Sequence, residues 1–145
     1  MSDKQTQFLA DWKDTAKPDP LDVVTMDSLF EAAAIEQPGN NAGIFEDQTL
    51  TFEALNTKVN QLARVLIEKG LDLEQPVAIM MDRSEKLPAV LLAVMRAGGA
   101  YLPLDPDHPI DRIQFILDEA KVSCVIIDSA FEEKNSAGFD FFHVD

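Results

Sequence analysis

One cysteine in 145 residues rules out an internal disulfide, so an apolar core must hold this chain together. Cys124 lies in the apolar run Val122 to Ile127, where a buried, reduced thiol is expected rather than a nucleophile. Basic residues are also scarce: 12 Lys and Arg stand against 26 Asp and Glu, a formal charge of -14 and a pI near 4.3. Such a chain repels phosphate backbones and anionic bilayers at long range, which disfavours nucleic-acid and membrane-surface binding. No run reaches the ~20 apolar residues of a bilayer span, and Met1 to Gln7 has no basic stretch followed by an apolar one. A cytoplasmic protein is expected. With only two histidines, His108 and His143, set apart from each other and from Cys124, zinc-ligand spacing is missing.

What is present is a hydrophobic content of 46%, enough for one globular domain. Residues 1–24 carry one apolar cluster, Phe8, Leu9 and Trp12, at helical spacing before the turn-prone Lys17 to Pro20; a short docked helix and a tail fit equally well. Thr25 can cap a helix to about Ile35 with Leu29, Ala32 and Ala33 on its inner face, stopped by Pro38 and Gly39. A hairpin of Ala42–Phe45 and Thr49–Thr51 is expected around Glu46 to Gln48. Thr51 can cap the next helix, in which Phe52, Leu55, Val59, Leu62 and Leu66 recur every three or four residues up to Gly70.

Pro76 to Met81 is a continuous apolar run of strand length, the pattern of a parallel strand covered on both faces. Ser84 is placed to cap a helix with the stripe Leu87, Val90, Leu91 and Val94, ended by Gly98 and Gly99. Tyr101 to Leu104 reads as a short strand whose Pro103 must lie at an edge or an end. Asp107 or His108 can cap a further helix with Pro109 in its first turn and Ile110, Ile113, Ile116, Leu117 and Ala120 facing inward. Val122–Ile127 supplies another covered strand, Glu132 to Asn135 a loop, and Phe139–Val144 the start of one more strand. This alternation predicts an α/β fold of three layers, a mainly parallel sheet with right-handed βαβ crossovers.

The residues whose types can carry chemistry mostly have simpler structural roles. Gly98 and Gly99 follow a helix and precede a strand, the reverse of the order in which glycines cradle phosphate, so a helix C-cap with a tight return is expected. Asp105, Asp107, Asp111 and His108 resemble a hard-metal or acid/base cluster, yet acidic groups beside a proline-started helix serve as caps, and Arg112 can brace one of them. Ser84, Ser123, Ser129 and Ser136 sit in no nucleophile turn. Asp82 and Arg83, at a strand exit, are the best polar pair for a cleft, with a surface salt bridge the simpler reading.

Two segments resemble motifs of a known family. Leu91 to Pro109, and within it Arg96-Ala-Gly-Gly-Ala-Tyr-Leu-Pro-Leu-Asp105, is similar to the second core motif of the adenylation domains of nonribosomal peptide synthetases, with Arg96 in place of the usual Lys and Met95 in place of the usual Leu. Leu50-Thr-Phe-Glu-Ala-Leu55 resembles the first core motif, with Phe52 for Tyr and Ala54 for Glu, and Asp82 to Ser84 and Pro109 to Arg112 match common family wording. The likeness spans roughly Thr25 to Asp128. It implies that residues 25–145 are the N-terminal part of an adenylate-forming domain and residues 1–24 a tail or linker. The implied activity is activation of an amino acid with ATP and Mg to an acyl adenylate, then transfer to the phosphopantetheine thiol of a carrier protein. Implied partners are the remainder of the adenylation domain, the carrier protein and a small activator of the MbtH-like type. The family's phosphate loop, substrate pocket and catalytic lysine correspond to no segment of this sequence, so no catalytic, cofactor-binding or metal residue is assigned and the chain alone is expected to be inactive. The competing expectation is a non-catalytic α/β interaction module, or one half of a split adenylation enzyme, docking through the edge of its last strand.

Overall fold

The computed structural model describes residues 25–122, 124–128 and 141–143. The Phe8 to Trp12 cluster, the turn at Lys17 to Pro20, the loop at Glu132 to Asn135, and Ser123, Ser129 and Ser136 lie outside those residues. Helix α1 (Met26–Glu36) is followed by a hairpin, β1 (Asn41–Phe45) and β2 (Gln48–Thr51), and by α2 (Phe52–Glu68). Then come β3 (Pro76–Met80), α3 (Leu87–Arg96), β4 (Ala100–Pro103), α4 (Ile110–Ala120), β5 (Cys124–Ile127) and β6 (Phe141–His143).

The sheet β4-β3-β5-β6 is parallel throughout, with Val77 opposite both Tyr101 and Cys124, and Val125 opposite Phe141. Side chains alternate across it. Val77, Ile79, Met81 and Ile126 enter a core with α2 and α3, whereas Ala78, Met80, Val125 and Ile127 enter a second core with Ile113 and Leu117 of α4. That makes the three layers, and it explains why the β3 run shows no polar alternation: neither face meets water. Each fully buried Val, Ile or Met contributes about 1.5–3 kcal/mol. β4 is an edge strand and Pro103 is its last residue, so its missing N–H breaks no ladder. Cys124 is half-buried rather than buried, packed against the α2/α3 core.

Local signals fix α2 at both ends. Thr51 Oγ1 accepts from the Ala54 amide at 3.2 Å, and the Phe52 and Glu53 amides donate to the carbonyls of Asn40 and Pro38 at 3.0 Å. Three N-terminal donors that the helix cannot satisfy are thereby paired. At the other end Gly70 adopts φ 87°.

Four expectations about helices are corrected. On α1 the inner face is Phe30 and Ala34, not Leu29 and Ala32, because Phe30 packs at 6.0 Å from the Phe52 ring and Arg96 draws Asp27 inward. The N-cap of α3 is Lys86, without a side-chain bond, rather than Ser84, since a turn closed by the Leu87 amide on the Ser84 carbonyl delays the helix start. The N-cap of α4 is Pro109, rather than Asp107 or His108, because its carbonyl accepts from Arg112 and Ile113. Ile110, at the first position of α4, is exposed instead of buried.

Arg96 binds three helices together. Its Nε donates to both carboxylate oxygens of Asp27 in α1 at 2.9 and 3.2 Å, and Nη1 donates to Oδ1 of Asn56 and of Asn60 in α2 at 2.7 and 2.8 Å. Nη2 stands 2.8 Å from Asp27 Oδ1 without hydrogen-bond alignment, and the guanidinium lies over the Phe30 ring at 5.8 Å. With side chains 13% and 20% exposed, the Arg96–Asp27 pair is screened far less than a surface ion pair. Replacing Arg96 with Met is expected to cost about 2–3 kcal/mol in urea unfolding, because Asp27, Asn56 and Asn60 lose their shared partner. Arg96→Lys should recover only part of that loss, one ammonium being unable to span the same acceptors.

Gly98 has φ 85°, and a Cβ there would stand 2.5 Å from Cδ2 of Leu73, an exposed and movable side chain. Gly98→Ala is therefore expected to cost about 1–2 kcal/mol through backbone strain, and Leu73→Ala should not rescue it. Full rescue in the double variant would show that the methyl clash, not φ, is decisive.

Candidate functional site

The order of strands locates the crevice. β3 connects to β4 on one side through α3, and β4 returns through α4 on the opposite face to β5 on the other side of β3. β3 is thus followed by β4 on one side and β5 is flanked by β6 on the other, so the carboxyl ends of β3 and β5 mark a topological switch point, the place where open α/β sheets bind ligands. Two bonds prolong the sheet there: the Leu104 amide donates to the Ile79 carbonyl at 2.8 Å and the Asp128 amide to the Met80 carbonyl at 3.4 Å. Met81 and Leu104 floor the edge, and Asp82, Asp105 and Asp128 stand around it.

Asp82 and Arg83 do project from the exit of β3, both exposed, but they form no ion pair with each other. On the surface, screening and side-chain entropy remove most of the incentive for such a pair. Asp105 Oδ1 accepts from the Asp107 amide at 2.9 Å, and the Asp105 carbonyl accepts from the His108 amide at 3.1 Å, so this carboxylate shapes the loop into α4. Asp107, His108 and Asp111 are exposed, and among the described residues no three His, Cys, Asp or Glu side chains converge as metal ligands would. The brace expected from Arg112 is replaced by a contact over the Phe115 ring at 5.6 Å, an i, i+3 neighbour on the same helix.

A cleft of about 130 Å³ adjoins this edge, walled by Ala42, Ile44 and Leu50 of the hairpin, Leu55 of α2, and Ser84 and Pro88 before and within α3. Ser84 Oγ is buried and makes no hydrogen bond. No sequence signal marks this cleft, since its walls come from segments some 40 residues apart that only the packing of the hairpin on α2 unites.

Fold and site together define a doubly wound parallel α/β unit with a topological switch point at the carboxyl edge of its sheet. The family model of the AMP-binding enzymes matches residues 30–140, and the chain belongs to that family. It is 40% identical over 134 residues to bacitracin synthase 2 of Bacillus licheniformis, covering 92% of this chain and 5% of that protein. It is 41% identical over 123 residues to gramicidin S synthase 1 of Brevibacillus brevis, covering 85% and 11%. Among solved structures, the nonribosomal peptide synthetase FmoA3 (S1046A) in its AMPPNP-bound form superposes with a TM-score of 0.88 at 26% identity, over 99% of this chain and 16% of that one. The chain thus spans a small part of the length of the relatives it matches. Among the described residues no helix is long and apolar enough to cross a membrane.

Ser84 and Thr51 now separate a buried idle hydroxyl from a working cap. Ser84→Ala is expected to change stability by less than ~0.5 kcal/mol or to raise it, since an unbonded buried hydroxyl is removed. Thr51→Ala should cost about 1 kcal/mol. Thermal or urea unfolding of the two variants checks this, and equal losses would restore Ser84 as a cap.

Proposed function

We propose that residues 25–145 form the N-terminal part of an amino-acid adenylation domain of a nonribosomal peptide synthetase, with residues 1–24 a tail or linker, and that their role in it is scaffold. The parent domain joins an amino-acid carboxylate to the α-phosphorus of ATP, releasing pyrophosphate, and passes the acyl group to a carrier-protein phosphopantetheine thiol with loss of AMP. Mg in that reaction neutralises phosphate charge. The partners are the remainder of the domain, the carrier protein and a small activator of the MbtH-like type, in the cytoplasm and without membrane or nucleic acid.

The observation that carries this reading is where the two family-like motifs lie. Thr51 caps α2, Gly98 turns the chain at positive φ, and Tyr101 to Pro103 pair with β3. The resemblance therefore rests on residues that hold the sheet. A nucleotide fits poorly on the described residues alone: the loop from β3 to α3 contains no glycine and its Asp82 and Glu85 offset Arg83 and Lys86, and that from β4 to α4 carries Asp105 and Asp107. No reaction step is assigned to a side chain of this chain. The similarity to FmoA3 structures, one bound to AMPPNP and another to α-methyl-L-serine-AMP, supports the substrate class. A second reading, one half of a split enzyme or a non-catalytic interaction module, draws on β6, which among the described residues stands last in the sheet order, an edge to which a further strand can add.

Amino-acid-dependent ATP–pyrophosphate exchange is the test. The folded 145-residue chain should show none, while a chimera carrying residues 25–145 in place of the equivalent span of gramicidin S synthase 1 should retain it. Turnover by the isolated chain would overturn the scaffold role, and a folded chimera without exchange would overturn the assignment to the adenylation domain.

A further inference from the structure

The hairpin cleft holds two polar groups that the folded chain leaves unused. Phe45, Leu50, Leu55 and Pro88 give it apolar walls around about 130 Å³, and Ser84 and Glu85 line it as well. Ser84 Oγ is buried without a hydrogen bond. Glu85 is half-buried and has no ion-pair partner among the described residues. An unbonded buried hydroxyl is costly, and a carboxylate withdrawn from water gains from a nearby cation. Apolar walls with a few polar groups are also the composition of binding pockets in general.

We propose that this cleft receives an arginine side chain of a partner polypeptide, its methylene stem against the apolar walls and its guanidinium donating to the Glu85 carboxylate and Ser84 Oγ. A long side chain with an apolar stem and a charged head matches both parts of the cleft. A purely apolar occupant would leave both polar groups unpaired, and a carboxylate would be repelled by Glu85. Arginine is favoured over lysine because a guanidinium is more weakly hydrated than an ammonium and its planar fork serves two acceptors at once. Charge agrees with this choice. Among the lining residues and their immediate neighbours in the chain, Glu46, Asp47 and Glu85 outnumber Arg83 and Lys86, and the whole chain carries -14. The chain's own arginines are placed elsewhere: Arg96 is held by Asp27, Asn56 and Asn60, Arg112 lies over Phe115, Arg64 is exposed on α2, and the exposed Arg83 does not pair with Glu85. A second copy is opposed by the charge of -14 that each chain carries.

Titration of the 145-residue chain with the tripeptide acetyl-Gly-Arg-Gly-amide, read by amide chemical shifts, is the test. Shifts at Gly43, Gln48 and Glu85 should saturate together with a dissociation constant on the order of 1 mM, since a single side chain carries the binding. The citrulline tripeptide, alike in shape but uncharged, should bind about tenfold more weakly. Glu85→Gln should weaken the arginine tripeptide by about tenfold and Ser84→Ala by about threefold. Glu119→Gln, on the exposed side of α4, should leave its binding unchanged. The spectrum of each unbound variant shows whether it folds, and the citrulline comparison requires no variant. Absence of saturable shifts at these amides would overturn the proposal, as would equal binding of the citrulline tripeptide or an equal loss in Glu119→Gln. Tighter binding of free arginine than of the tripeptide would overturn it by assigning the cleft to an amino acid. A sedimentation mass that doubles with concentration in the unmodified chain but not in Glu85→Gln would overturn it by assigning the cleft to a second copy.

Discussion

Val77, Ile79 and Met81 point into one apolar layer and Ala78 and Met80 into the other, so β3 needs helices on both sides of the sheet at once. Its two backbone edges are taken by β4 and β5, each parallel to it. Parallel neighbours require crossovers, and covering both faces requires that those crossovers run on opposite sides. The switch point between β3 and β5 is a consequence of this requirement. The location of the crevice is thus set by five consecutive apolar side chains rather than by any residue in the crevice.

The layer that holds α2 and α3 depends further on Arg96. Asp27 is 69 residues away in the chain, and Asn56 and Asn60 are 40 and 36 away. One planar guanidinium meets acceptors on two helices while stacking on Phe30, which a point charge on a flexible stem does not reproduce. Its place just before Ala97 and Gly98 matters, because fixing the end of α3 also fixes the turn from which β4 departs. The Glu74 amide donates to the Gly98 carbonyl at 2.7 Å and the Ala100 amide to the Gln75 carbonyl at 3.0 Å, so the loop into β3 is braced on the turn that begins its neighbour.

Features whose cause is local were legible in the sequence: Thr51 as a cap, Gly70 and Gly98 as turns, Pro103 at a strand end, and the uniform apolarity of β3. Features whose cause is distant were not. Arg96 looks like a mild replacement for lysine until Asp27, Asn56 and Asn60 are brought to it. Ser84 has the chemistry of a cap, but the turn it begins displaces the helix start to Lys86, and in α4 the Pro109 carbonyl takes the role expected of Asp107. Lys121 and Glu74 adopt φ 51° and 61° where no glycine announces a turn, held there by the bonds around them. On α1 the periodic pattern is ambiguous because apolar residues surround the helix, and the direction of Asp27 decides which side goes in. The hairpin cleft was invisible for the same reason.

The charge of the crevice bears on how a family likeness relates to chemistry. Asp82, Asp105 and Asp128 surround the carboxyl edge of the sheet, and Asp107 and Glu85 lie in the adjoining loops. A triphosphate placed there adds negative charge to a negative field, so its binding requires cations and backbone donors in excess of Arg83 and Lys86. Glycines and prolines, by contrast, are restricted to positions by sterics alone, whatever reaction the fold supports. Such residues preserve a motif where charge and cleft shape are free to vary. A resemblance built on Gly98, Gly99, Pro103 and Pro109 is consequently strong evidence of architecture, and the donors for phosphate have to come from elements other than those that carry the resemblance.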